Sequence, residues 1–173
     1  MKKLNQKNQN PLKEPNVPWI TKDGYFDLTK YPIDSILKQS IGSSEEKFYS
    51  ACNILGAMAS AGRKEAGIFL FGLLVHSGDD LEKKESVVKA LRGVQTPQAA
   101  KLFFNELDRI ESSNTTRGYI NTILRVLGDF PSDLVEDGFE RLTLNPKWSY
   151  KMKNKFKAAL EYIRYKQTED YLD

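Results

Sequence analysis

Leu55, Leu91, Leu127 and Ile163 stand 36 residues apart, and each apolar position lies in a similar local pattern. The same ladder is rebuilt by Ala51, Val87, Ile123 and Ala159, and more loosely by Phe48, Lys84, Ile120 and Phe156. A fixed period of this length predicts stacked helix pairs, in which one unit buries its apolar face only against its neighbours. Within each period the apolar residues recur at helical spacing. Ser43 with Glu46 forms a capping-box pattern opening a helix to about Ala61, and Gly62 ends it. A second helix runs from about Arg63 to His76 and is closed by Gly78. Asp79 with Glu82 opens the next, to about Val94, and Thr96-Pro97 supplies an N-cap and a proline at N1 for a helix reaching Ile110. The third pair spans about Thr115 to Leu127 and restarts at Ser132, and Asn145-Pro146 introduces a last helix to about Lys166.

Before the repeats, the pattern changes. Residues 1–18 are rich in Asn, Gln, Lys and Pro and bury too little to order, so they read as a disordered tail. Residues 19–42 form an N-terminal cap: a turn at Asp23-Gly24 and a short helix after Pro32 with Ile33, Ile36 and Leu37 on one face. Residues 43–166 hold the repeats, and 167–173 form an acidic end.

The stretch Val88-Lys89-Ala90-Leu91-Arg92-Gly93-Val94-Gln95-Thr96-Pro97-Gln98-Ala99-Ala100 resembles the HEAT-type repeat: Ala-Leu, a glycine-containing turn, a proline, then alanine in the second helix. Leu127-Gly128-Asp129-Phe130-Pro131, and Leu55-Gly56 with Glu65-Ala66, echo it. Tetratricopeptide repeats have a nearby period, but their aromatic signature after Leu-Gly is missing. The resemblance implies an all-α, right-handed α-α superhelix of about three and a half helix pairs. Its second helices would line a concave surface that binds protein or nucleic acid. It brings no catalytic residues.

Composition narrows the function classes. The chain has 173 residues, one cysteine and one histidine, with a formal net charge of +3. Cys52 alone excludes an internal disulfide framework and leaves no zinc cluster; it reads as a small core residue. His76 lies at a helix C-terminus, where an imidazolium suits the dipole. No phosphate loop, nucleophile elbow or metal-ligand spacing is present, so neither an enzyme nor a cofactor is expected. Met1-Lys2-Lys3-Leu4 is followed by polar residues rather than an apolar export segment, and no apolar run is long enough to span a bilayer. A cytoplasmic protein without a membrane or small-molecule partner is the expectation.

Charge is unevenly spread: residues 19–146 carry −3, residues 147–166 carry +6. Asp133, Glu136, Asp137 and Glu140 share one helical face, with Glu106, Asp108 and Glu111 on the equivalent helix one repeat earlier. They form the expected contact for a protein with a basic surface, in an adaptor, scaffold or inhibitor; the competing reading is a solvated helix face. A chain this small also suits an inhibitor that covers a basic toxin.

Lys147, Lys151, Lys153, Lys155 and Lys157, with Tyr150, Tyr162 and Tyr165 among them, offer the alternative of nucleic-acid binding. Against it, a terminal repeat needs a polar outer face, which lysine supplies. Some HEAT-like proteins are DNA-repair glycosylases that cradle DNA, a use that acidic second helices oppose. A third reading concerns the helix at 66–75, apolar all round. Either Trp19, Tyr25, Phe26 or Ile36 covers it, or it docks the chain into a larger complex.

Overall fold

The computed structural model describes residues 18–42 and 44–170. Among them the fold is all-α: eight α-helices, one 3-10 turn and a single isolated β-bridge. The polar tail expected at the N-terminus, apart from Pro18, lies outside the described residues, as do Ser43 of the expected capping box and Asp173 of the acidic end.

The chain divides into two compact units at Tyr31/Pro32. In the first, Ile20 and Phe26 form the antiparallel bridge around Gly24, whose φ of +82° is the left-handed conformation that glycine adopts without strain. Trp19 and Phe26 both meet Tyr31 edge-on, at 6.0 and 6.2 Å between ring centroids. Tyr25 and Phe26 are exposed.

The second unit holds all eight helices: α1 (Asp34–Ser40), α2 (Glu45–Ser60), α3 (Lys64–His76), α4 (Leu81–Ala90), α5 (Pro97–Arg109), α6 (Arg117–Leu127), α7 (Ser132–Leu144) and α8 (Tyr150–Asp170). α2 packs against α1, α3 and α4; α4 packs on to α6; α5 touches α6 and α7; α7 lies along α8. α2, α4 and α6 are thus successive neighbours, and α5 also meets α7. Of the positions spaced 36 residues apart, most lie in the core, while Ala159 and Lys84 are only half-buried. Leu55, Leu91 and Leu127 are fully buried, Ile163 is nearly so, and Ala51, Val87 and Ile123 are fully buried beside them.

Local signals set the helix ends, with three shifts from the sequence reading. Thr96 accepts a hydrogen bond from the Ala99 amide at 3.2 Å, with Pro97 behind it, as expected. The cap of α4 is Asp80 rather than Asp79; its carboxylate accepts from the Lys83 amide at 3.0 Å. Ser44, not Ser43, is the residue preceding α2, and its side chain makes no cap bond. Helix α8 begins at Tyr150 because Asn145 Oδ1 accepts from the Lys147 amide at 2.9 Å, a local turn that competes with helix. That turn places Trp148 in the core, edge-on to Phe156 at 5.2 Å.

The apolar helix α3 has both buried and exposed positions. Ala66, Gly67, Leu70 and Leu74 are buried, whereas Ile68 is 68% and Val75 53% exposed. Of its candidate covers, Ile36 is buried on α1, which packs against α2.

Candidate binding surface

Side chains distant in sequence join the helices. Arg92 Nε donates to Asp129 Oδ2 at 2.6 Å, and Gln95 Nε2 to the Asp129 carbonyl at 2.9 Å. Thr122 Oγ1 donates to Glu85 Oε1 at 3.0 Å, and Lys155 Nζ to Asn121 Oδ1 at 2.9 Å. Arg141 Nη1 donates to Asp108 Oδ2 at 2.6 Å. The partners in these bonds lie 33 to 37 positions apart in the chain. Much of the charge visible in the sequence is therefore paired within the stack.

The acidic candidates divide accordingly. Glu106 is 4% exposed, so it belongs to the core and not to a contact surface. Its Oε2 accepts from Lys84 Nζ and from the Tyr119 hydroxyl, both at 2.9 Å. Burial, and then the neighbouring carboxylate, push the Tyr119 phenol well above its ordinary pKa, so it remains a donor. Asp108 is held by Arg141, and Glu136 and Glu140 are both held by Arg164 of α8, at 2.6 Å from Nε and Nη2 respectively. Asp133 and Asp137 are exposed, one turn apart, on the outer side of α7, and Glu111 is exposed beyond the end of α5.

The basic candidates are thinned in the same way. Lys147 Nζ donates to the Asp108 carbonyl at 2.6 Å and lies 5.2 Å from the Trp148 ring centre. Lys153 and Lys155 are half-buried, and Lys155 is bonded to Asn121. Lys151 and Lys157 remain exposed, beside exposed Tyr150, Tyr162 and Tyr165. The inner side of α8 carries Met152, Phe156, Leu160 and Ile163, all buried.

The sequence reading found the acidic part of an exposed stripe on α7 but not its counterparts on α3 and α5. On α3 it runs Lys64, Ile68, Gly72, Val75; on α5, Gln98, Lys101, Asn105, Arg109; on α7, Asp133, Asp137, Glu140, Leu144, all exposed. From α3 to α7 the stripe changes from apolar to basic to acidic. Within α2–α7, the large apolar side chains left exposed are Ile68, Val75 and Leu144, all on second helices. Spacing of three and four residues along each helix was the signal that would have found them.

Cys52 is fully buried, and burial pushes its thiol up to about 11. His76 is exposed at the end of α3. Among the described residues no group of His, Cys, Asp and Glu side chains is arranged to hold a metal ion, and no helix is long and apolar enough to cross a membrane.

No family model matches the chain, and neither a curated protein nor a solved structure matches it.

Proposed function

We propose that the chain is a HEAT-like helical-repeat module that binds a protein partner through its second helices and catalyses no reaction. The observation that carries this reading is the placement of Ile68, Val75 and Leu144. Water-exposed apolar side chains stand on the second helices, while the first helices α2, α4 and α6 expose none of that size. On α7 the carboxylates of Asp133 and Asp137 add an acidic region suited to a basic protein surface, with an exposed leucine below them. Such a module suits an adaptor, scaffold or inhibitor working in the cytoplasm. The test is affinity capture from native extract with and without nuclease, using the natural chain beside an Asp133→Lys/Asp137→Lys variant. A nuclease-resistant partner that the variant loses supports the reading; a partner the variant retains unchanged removes the acidic stripe from it.

A second reading rests on α8, where Tyr150, Tyr162 and Tyr165 are exposed near Lys151 and Lys157. Tyrosine rings stack on unpaired bases and lysines meet phosphates, so a single-stranded nucleic acid is the ligand this helix would take. Capture that disappears with nuclease, or recovered nucleic acid whose binding falls steeply with salt, would favour it.

A further inference from the structure

Grooves open between α3 and α5 at both ends. At their N-termini a groove of about 710 Å³ is lined by Gly67, Ile68 and Phe71 of α3 and by Val94 and Gln98 from the α5 side. At their C-termini a second, of about 380 Å³, is lined by Val75 and by Arg109 and Ile110. The two helices therefore point in the same direction. Ile68 and Val75 stand seven residues apart, two turns, or about 10 Å along the axis. An apolar residue and another seven positions later on a partner helix have the same separation.

Charge selects the occupant. Lys64 lines the first groove, Arg109 lines the second, and Lys101 is exposed on the α5 stripe between them. Lys84 also reaches the second groove but is tied to Glu106. Among the described residues, the unpaired acid lining either groove is Asp79. The first groove is walled largely by apolar side chains with Lys64 at its edge, and the second is mixed, with Arg109 facing Asp79.

We propose that the α3–α5 groove receives an amphipathic helix from a protein partner, its apolar face on Ile68, Phe71 and Val75 and its acidic flank against Lys64, Lys101 and Arg109. The inference rests on the proposed second-helix binding surface, but the site lies apart from the acidic stripe of α7, does not require that stripe, and takes a segment of opposite charge.

The experiment is a selection of displayed helical peptides of random sequence on the full-length chain. Enriched peptides should be net negative, with apolar residues at i, i+3 or i+4, and i+7. Ile68→Asp should weaken them by about tenfold or more. A Lys101→Glu/Arg109→Glu variant should shift the selection to peptides with basic flanks. Both variants replace solvent-facing side chains, and unchanged circular dichroism would show that they fold. Asp133→Lys/Asp137→Lys should leave the selected peptides bound, which separates this site from the α7 surface. No enrichment, enrichment of basic peptides by the natural chain, or binding indifferent to Ile68→Asp would overturn the proposal.

Discussion

A β-carbon on Gly56 of α2 would lie 2.6 Å from the carbonyl oxygen of Ala90 at the end of α4. The obstruction is backbone, so no side-chain rotation relieves it. The two first helices cross here at a distance that only glycine permits, directly beside Leu55 and Leu91 of the ladder. Gly56→Ala should therefore destabilise the chain by about 1–3 kcal/mol, despite the helix propensity that alanine adds. At Gly72, on the outer stripe of α3, a β-carbon would meet nothing within 4 Å. Gly72→Ala should stabilise by up to about 1 kcal/mol. Urea unfolding of the two variants should shift the midpoint in opposite directions.

Removing Glu106 should cost far more than removing a surface partner. Glu106→Ala leaves Lys84 and the Tyr119 hydroxyl without their shared acceptor inside the core, a loss of about 3 kcal/mol or more. Arg141→Ala breaks a pair in which the arginine is 53% exposed, and should cost less than about 1 kcal/mol. Equilibrium unfolding of both variants checks the contrast.

Glu85 predicts an acid limb in the stability profile. Lys89 at 2.9 Å, opposed in part by burial and aided by the Thr122 hydroxyl, holds its carboxyl below the ordinary value of 4.5. A carboxylate lowered by folding contributes stability that is full above its unfolded pKa and is lost as pH falls through the folded one. Melting temperatures should accordingly fall less steeply for Glu85→Gln than for the natural chain between about pH 5 and pH 3. Parallel slopes would show that Glu85 does not contribute.

Cys52 should resist thiol reagents until the chain unfolds. A thiol pushed up to about 11 from 9.0 holds roughly a hundredfold less thiolate at mild pH, and the sulfur is also inaccessible. Labelling at pH 8 should track global unfolding by urea; rapid labelling of the folded chain would contradict this burial.

The all-helical core was legible in the sequence because apolar residues at helical spacing, such as Leu55, Leu91, Leu127 and Ile163, have to be buried. The site was legible only in part. Asp133, Glu136, Asp137 and Glu140 look alike along one helix, but Arg164 arrives from 24 or 28 positions away and takes the second and fourth. Nothing local in α7 announces that pairing. Glu106 reads as a surface acid for the same reason: Lys84 and Tyr119, which make its burial tolerable, come from two other helices. At Asn145-Pro146 a proline suited to a first helical turn is outweighed by the side chain of Asn145 and the burial of Trp148.

Arg164 gives the acidic stripe a gain-of-function test. Arg164→Ala would release Glu136 and Glu140 beside Asp133 and Asp137. Binding of a basic partner should tighten severalfold and become more sensitive to salt. Unchanged affinity would place the contact away from α7.

Hydrogen–deuterium exchange of the chain bound to a captured protein partner tests the central claim most directly. Protection should fall on α3, α5 and α7, around Ile68, Val75 and Leu144, and leave the outer amides of α2, α4 and α6 unchanged. Protection confined to the first helices or to α8 would contradict a second-helix binding surface.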